Sequence, residues 1–179
     1  MKYLLRGGIL ILVCMISGCL KDRHFTIDIW PRPHPNADKF ECYINGLDYI
    51  PDEGSEKVIG ISNVTATVYH INGFHSILIA TVLNVPGQLP RYVNMRLKNV
   101  TDTGFYEFNN LPYQNGLYRY NPNEYDAYKP GQGGITITKF DSVQNVLQGT
   151  FWFNAVNYNN PADSVKVTGG HFNINYTNQ

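Results

Sequence analysis

The stretch "VTATVYHINGFHSILIAT" spans residues 64–81 and holds two alternating runs around Asn72-Gly73. An Asn-Gly pair between such runs is a strong signal for a two-residue hairpin, because both turn residues need positive φ. A turn there pairs Ile71 with Phe74 and His70 with His75. Val64, Ala66 and Val68 then share a face with Ile77 and Ile79. With a side-chain period of two, that face is the predicted core side of a half-buried sheet.

The same pattern runs in both directions from this hairpin. Upstream, "KFECYI" alternates into Asn45-Gly46, and "LDYIP" follows. Between them and the hairpin lies a charged loop, "DEGSEK". Downstream, "YVNMRLK" sets Val93, Met95 and Leu97 against Tyr92, Asn94, Arg96 and Lys98. "GFYEF" and "GLYRY" are short strands, and "ITITKF" follows a glycine-rich loop. "VLQGTFWFNAV" places Leu147, Phe151 and Phe153 on one face. "VKVT-GG-HFNINY" predicts a final hairpin with Phe172, Ile174 and Tyr176 inward. No window after residue 19 has a helical period. The expectation is an all-β fold, an antiparallel β-sandwich or barrel-like fold of about nine to ten strands. A transmembrane barrel would need long apolar outward faces, whereas these second faces carry Thr, Asn, Lys and Arg.

Residues 1–18 read as a lipoprotein signal peptide. Lys2 and Arg6 precede an apolar run from Gly7 to Ile16, too short to span a bilayer as a helix. The run ends in Ile16-Ser17-Gly18-Cys19, which resembles the bacterial lipobox. That resemblance implies a lipid on Cys19, which then becomes the first mature residue. Two or more acyl chains hold a polar body firmly, at about 0.8 kcal/mol per buried methylene. Leu20, rather than an aspartate, follows the cysteine and favours the outer membrane. Residues 19–37 form the lipidated cysteine and a Pro-rich tether, with "WPRPHPN" favouring an extended polyproline spacer. Residues 38–179 form a single β-domain.

Composition narrows the function. The mature chain from Cys19 carries 12 basic against 14 acidic residues, so nucleic acid is excluded as a partner. Cys14 leaves with the leader and Cys19 is lipidated, so Cys42 has no internal disulfide partner. Cys42 alternates with Phe40 and Ile44 and is expected inward, as a small hydrophobe.

Three stretches, "CYINGLDYIP", "GGITITKFDSVQNVLQGTFWFNA" and "VKVTGGHFNINY", resemble a group of uncharacterised lipoproteins of Gram-negative bacteria. The shared features are an early Asn-Gly hairpin, a Gly-Thr-Phe-x-Phe strand and a Gly-Gly-x-Phe hairpin. All are fold signatures, so the resemblance implies a β-domain and carries no catalytic residue. Tyr49 stands where many of that group have Trp.

Candidate chemistry is sparse. No Gly-x-Ser-x-Gly, His-Glu-x-x-His or Ser-x-x-Lys occurs, and "GQGG" lacks the Lys-Ser/Thr of a phosphate loop. His70 and His75 face each other in the hairpin and form a weak metal-binding pair, with no third ligand near in sequence. His24, His34 and His171 reach them only through the fold. Glu124 and Asp126, two apart, suit a solvated loop better than calcium or a glycosidase pair. Six of the 13 tyrosines lie between Tyr106 and Tyr128, among Asn, Gln, Glu and Asp. Tyr joins a flat apolar ring to a polar tip, a combination that suits sugars and proteins. Tyr113, Tyr118, Tyr120, Tyr125 and Tyr128 are therefore the expected ligand surface, on a loop broken by Pro122 and Pro130. The domain is read as a non-enzymatic binding or interaction module without a cofactor, for a glycan or an envelope protein. The alternatives are a structural accessory subunit and, behind it, a hydrolase.

Overall fold

The computed structural model describes residues 39–51, 63–71, 73–109 and 114–179. The leader, Cys19, the tether, the "DEGSEK" loop, His24, His34, Asn72 and Tyr113 lie outside these residues. The described residues all belong to one compact unit.

Among the described residues there are eleven strands. They are β1 (Lys39–Ile44), β2 (Leu47–Tyr49), β3 (Val64–Ile71), β4 (Phe74–Leu83), β5 (Arg91–Val100), β6 (Gly104–Glu107), β7 (Asn115–Tyr120), β8 (Asn123–Ala127), β9 (Gly133–Asp141), β10 (Val146–Asn157) and β11 (Ser164–Asn178). The fold is all-β and barrel-like. One face follows the order β2-β1-β11-β10-β9-β6 and the other the order β3-β4-β5-β7-β8. The long β10–β11 hairpin joins them at both of its ends. Near its turn, Asn157 of β10 pairs with Tyr125 of β8. At the far end, Tyr176 to Asn178 of β11 pair with Ala66 to Val68 of β3. Hydrogen-bonded neighbours therefore close a circuit through β3, β4, β5, β7, β8, β10 and β11.

The β3–β4 hairpin has the expected register, with His70 opposite His75 and Ile71 opposite Phe74. Val64, Ala66, Val68, Ile77 and Ile79 are buried, as are Val93, Met95 and Leu97. Leu147, Phe151, Phe153, Phe172, Ile174 and Tyr176 fill the same core. Cys42 is buried with them, and burial pushes its thiol well above the ordinary range. Tyr49 is completely covered, and its hydroxyl lies 2.9 Å from Thr81 Oγ1 across the core.

Three expectations need correction. "VKVT-GG-HFNINY" is one continuous strand rather than a hairpin. Between Val167 and Gly170, β11 carries one residue more than the facing stretch of β10, a bulge that takes up Gly169 at φ 58°. The bulge bends the strand without ending it. Next to it, a Cβ on Gly170 would sit 2.6 Å from the Phe151 ring, so the glycine admits that ring to the core. Second, the β11–β3 pairing is parallel, whereas a wholly antiparallel fold was expected. The two strands meet at a corner after the chain has passed round the barrel, a connection long enough for a parallel pair. Third, "NEYDA" is the strand β8, not part of a loop. Asn121-Pro122, joined by a cis peptide bond, makes the tight turn between β7 and β8, so the proline sits where no ladder hydrogen bond is lost.

Candidate functional site

The tyrosine-rich segment folds as the β7–β8 hairpin, and strand alternation divides its side chains. Tyr118 and Tyr125 face each other in register and are both buried, with ring centroids 5.8 Å apart. The Tyr125 hydroxyl donates to Asp163 Oδ2 at 3.0 Å, and Asn157 Nδ2 donates to the same oxygen. Burial, then Asp163, raises the Tyr125 phenol above its ordinary range. The expectation that Tyr118 and Tyr125 lie on an exposed surface is thus wrong. Reading "GLYRY" and "NEYDA" with period two would have sent these rings inward. Tyr120 is exposed at the strand end, with the Arg91 guanidinium 5.6 Å from its ring centroid. Tyr128 is half-buried one residue past β8, and Lys129 Nζ lies 5.5 Å from its ring centroid.

What alternation sends outward is a different set. Asn94, Leu117 and Asp126 form one row across β5, β7 and β8. Tyr92, Arg119 and Glu124 form the next row, and Arg96 pairs with Asn115 on the other side. Together Asn94, Arg96, Asn115, Leu117, Arg119, Glu124 and Asp126 line a cavity of about 340 Å³. Leu117 is its one apolar side chain. Two guanidinium groups, two carboxylates and two carboxamides surround it.

Neighbouring contacts hold several of these groups in place. Asn115 Nδ2 donates to Asp126 Oδ1 at 2.8 Å. Asn94 Oδ1 accepts the backbone N–H of Thr81 at 3.2 Å. The Arg119 guanidinium lies 4.5 Å from the centroid of the Tyr92 ring, a cation–π distance. Burial raises the Asp126 carboxyl above the usual range, and Glu124 adds to the rise; Asn115 and Arg96 oppose it. Glu124 and Asp126, expected in a solvated loop, instead share one strand face and one cavity.

The cavity therefore draws on the tyrosine-rich segment but not on its tyrosines. Its Asn94 and Arg96 were visible in the sequence as the polar side of "YVNMRLK". What sequence lacked was the non-consecutive pairing of β5 with β7, which puts that side beside Leu117 and Arg119.

The histidine pair has another environment. The His70 and His75 ring centroids are 4.7 Å apart with planes at 80°, an edge-to-face contact. His70 Nε2 lies 3.2 Å from Asn178 Oδ1, and His75 packs edge-to-face on Phe140 at 5.0 Å. Burial, then His70, lowers the His75 pKa from its ordinary value. Among the described residues, no group of three or more His, Cys, Asp or Glu is placed to hold a metal ion.

Among curated proteins and among solved structures, none matches this chain. One family model does, a domain of unknown function (DUF6252), over residues 62–174. That span includes the whole of "GGITITKFDSVQNVLQGTFWFNA" and most of "VKVTGGHFNINY", but not "CYINGLDYIP". It runs from the start of β3 nearly to the end of β11 and so takes in every residue of the cavity. The chain belongs to the DUF6252 family.

Proposed function

We propose that this chain is a lipid-anchored protein of the outer membrane whose β-domain binds a saccharide of the cell envelope without transforming it. The lipid sits on Cys19, and residues 20–37 are the tether that joins it to the domain. One observation carries the binding reading: the cavity on the outer face of β5, β7 and β8. A pyranose presents an apolar C–H face and a ring of hydroxyls. Leu117 suits the first, and the surrounding carboxylates, carboxamides and guanidinium groups suit the second. The charges of both signs favour an uncharged or zwitterionic sugar over a polyanion.

The test is a calorimetric titration of the protein with soluble oligosaccharides released from envelope glycans. Saturable binding that Arg119→Ala and Glu124→Gln each weaken tenfold or more supports the proposal. No binding by any envelope oligosaccharide overturns it. One observation favours a second reading, hydrolysis: Glu124 and Asp126 line the same cavity. New reducing ends in the same incubations, lost in Asp126→Asn, would replace binding with glycosidic cleavage.

A further inference from the structure

The chain enters the described fold at Lys39, whose partner on β11 is Asn173, five residues before that strand's last residue, Asn178. Three other elements meet at this end of the barrel. The backbone N–H of His70, near the β3–β4 tip, donates to the Gln179 carbonyl. Asn178 lies between His70 Nε2, at 3.2 Å, and Asn145 Oδ1, at 3.1 Å. Asn145 belongs to the β9–β10 turn, and its backbone carbonyl accepts the N–H of Tyr176. The β3–β4 tip, the β9–β10 turn and the last residues of β11 are therefore tied together at the end of the barrel from which β1 starts.

This end exposes apolar side chains at both of its tips. Ile71 is 56% exposed, Phe74 47% and Val143 91%. Ile71 and Phe74 open onto a recess of about 270 Å³ bordered by His75, Ser76, Lys98 and Asn99. Lys139 Nζ, beside the β9–β10 turn, pairs with Asp141 Oδ2 at 3.2 Å. The opposite end also exposes apolar side chains, Leu89 and Tyr158 among them. What separates the two ends is the chain itself: only the first receives the segment that leads back to Cys19.

We propose that the barrel end carrying Ile71, Phe74 and Val143 rests on the lipid bilayer, with these side chains among the headgroups and upper acyl carbons. The inference rests on the lipid anchor of the proposed function and adds an orientation to it. With this end on the bilayer, the sheet face that holds the saccharide cavity stands at the side of the barrel, open to solvent. Transfer of a few apolar side chains from water orients a tethered domain but is too weak to replace its acyl chains.

The experiment uses the mature lipidated protein in vesicles of phosphatidylethanolamine and phosphatidylglycerol. Spin labels are placed on Val143→Cys and, as the control at the other end, on Leu89→Cys. Flotation of the vesicles reports the anchor, and relaxation by lipid-soluble oxygen against a water-soluble agent reports label depth. The proposal expects the label at 143 to shift several-fold toward oxygen on reconstitution while the label at 89 stays aqueous. Phe74→Asp should reduce that shift and leave flotation intact. A floating protein with both labels aqueous overturns the orientation and leaves the anchor standing. A protein that does not float overturns both.

Discussion

Asn115 Nδ2 and Asp126 Oδ1 are 2.8 Å apart on adjacent strands, and this hydrogen bond holds a carboxyl that burial pushes toward its protonated form. A group whose folded pKa lies above its unfolded value binds protons more tightly in the native state. Its contribution to stability is thus full at low pH and is lost as pH rises through the folded value. At neutral pH the charged Asp126 is a cost to the fold. Asp126→Asn keeps an oxygen for Asn115 and removes the charge. Thermal melts at pH 7 should show the variant as stable as the parent or more so, while saccharide affinity falls. A large loss of stability would make Asp126 a structural acid. Groups that destabilise the fold they sit in are characteristic of binding and catalytic sites.

Tyr125 should behave as core. Tyr125→Ala should cost about 3–5 kcal/mol, the range for emptying a buried aromatic site, and Phe151→Ala about the same. Tyr125→Phe removes only the hydrogen bond to Asp163 and should cost about 1 kcal/mol. Tyr128→Ala, at a half-buried site, should cost less than Tyr125→Ala. Urea unfolding of the four variants measures all of this. Equal, small effects at 125 and 128 would return both rings to the surface.

The His75 imidazole gives a pH dependence of opposite sign. Its folded pKa lies below the ordinary 6.5, so the unfolded chain takes up a proton first as pH falls. Stability from this group is present above about 6.5 and is lost progressively below it. The urea midpoint should therefore decline between pH 7 and pH 5. His75→Asn should flatten that part of the profile, and an unchanged slope would assign the effect to other groups.

Membrane attachment should depend on the lipid. With residues 1–18 replaced by a leader cut by the general secretory peptidase, and with Cys19→Ala, the protein should move from the detergent phase to the aqueous phase. Retention of this variant in the detergent phase would mean that the β-domain has an anchor of its own.

Much of the fold was legible because its signals are local. Asn45-Gly46 and the alternation of Val64, Ala66 and Val68 against Ile77 and Ile79 fix turns and faces within a few residues. The misread parts depend on distant neighbours. Gly169-Gly170 resembles a turn until β1 and β10, on either side of β11, hold it as a bulge. Pro122 resembles a strand breaker until β7 and β8 are seen to turn tightly around it. The cavity was half legible. The polar side of β5 and the Glu124–Asp126 spacing stand in the sequence, but the β5–β7 pairing that brings them together joins strands not adjacent in the chain. Tyr118 and Tyr125 are buried by the strand period, a signal that the tyrosine-rich composition of the segment does not carry.

The most direct test of the central claim is a map of where saccharide binds. Backbone amide shifts of the isotope-labelled protein, followed through a titration with the tightest-binding envelope oligosaccharide, give that map. The account predicts that the largest changes fall at Asn94, Asn115, Leu117, Arg119 and Asp126, and that Arg119→Ala abolishes them. Changes centred instead on the exposed Phe105 and Trp152, on the other face of the barrel, would contradict it.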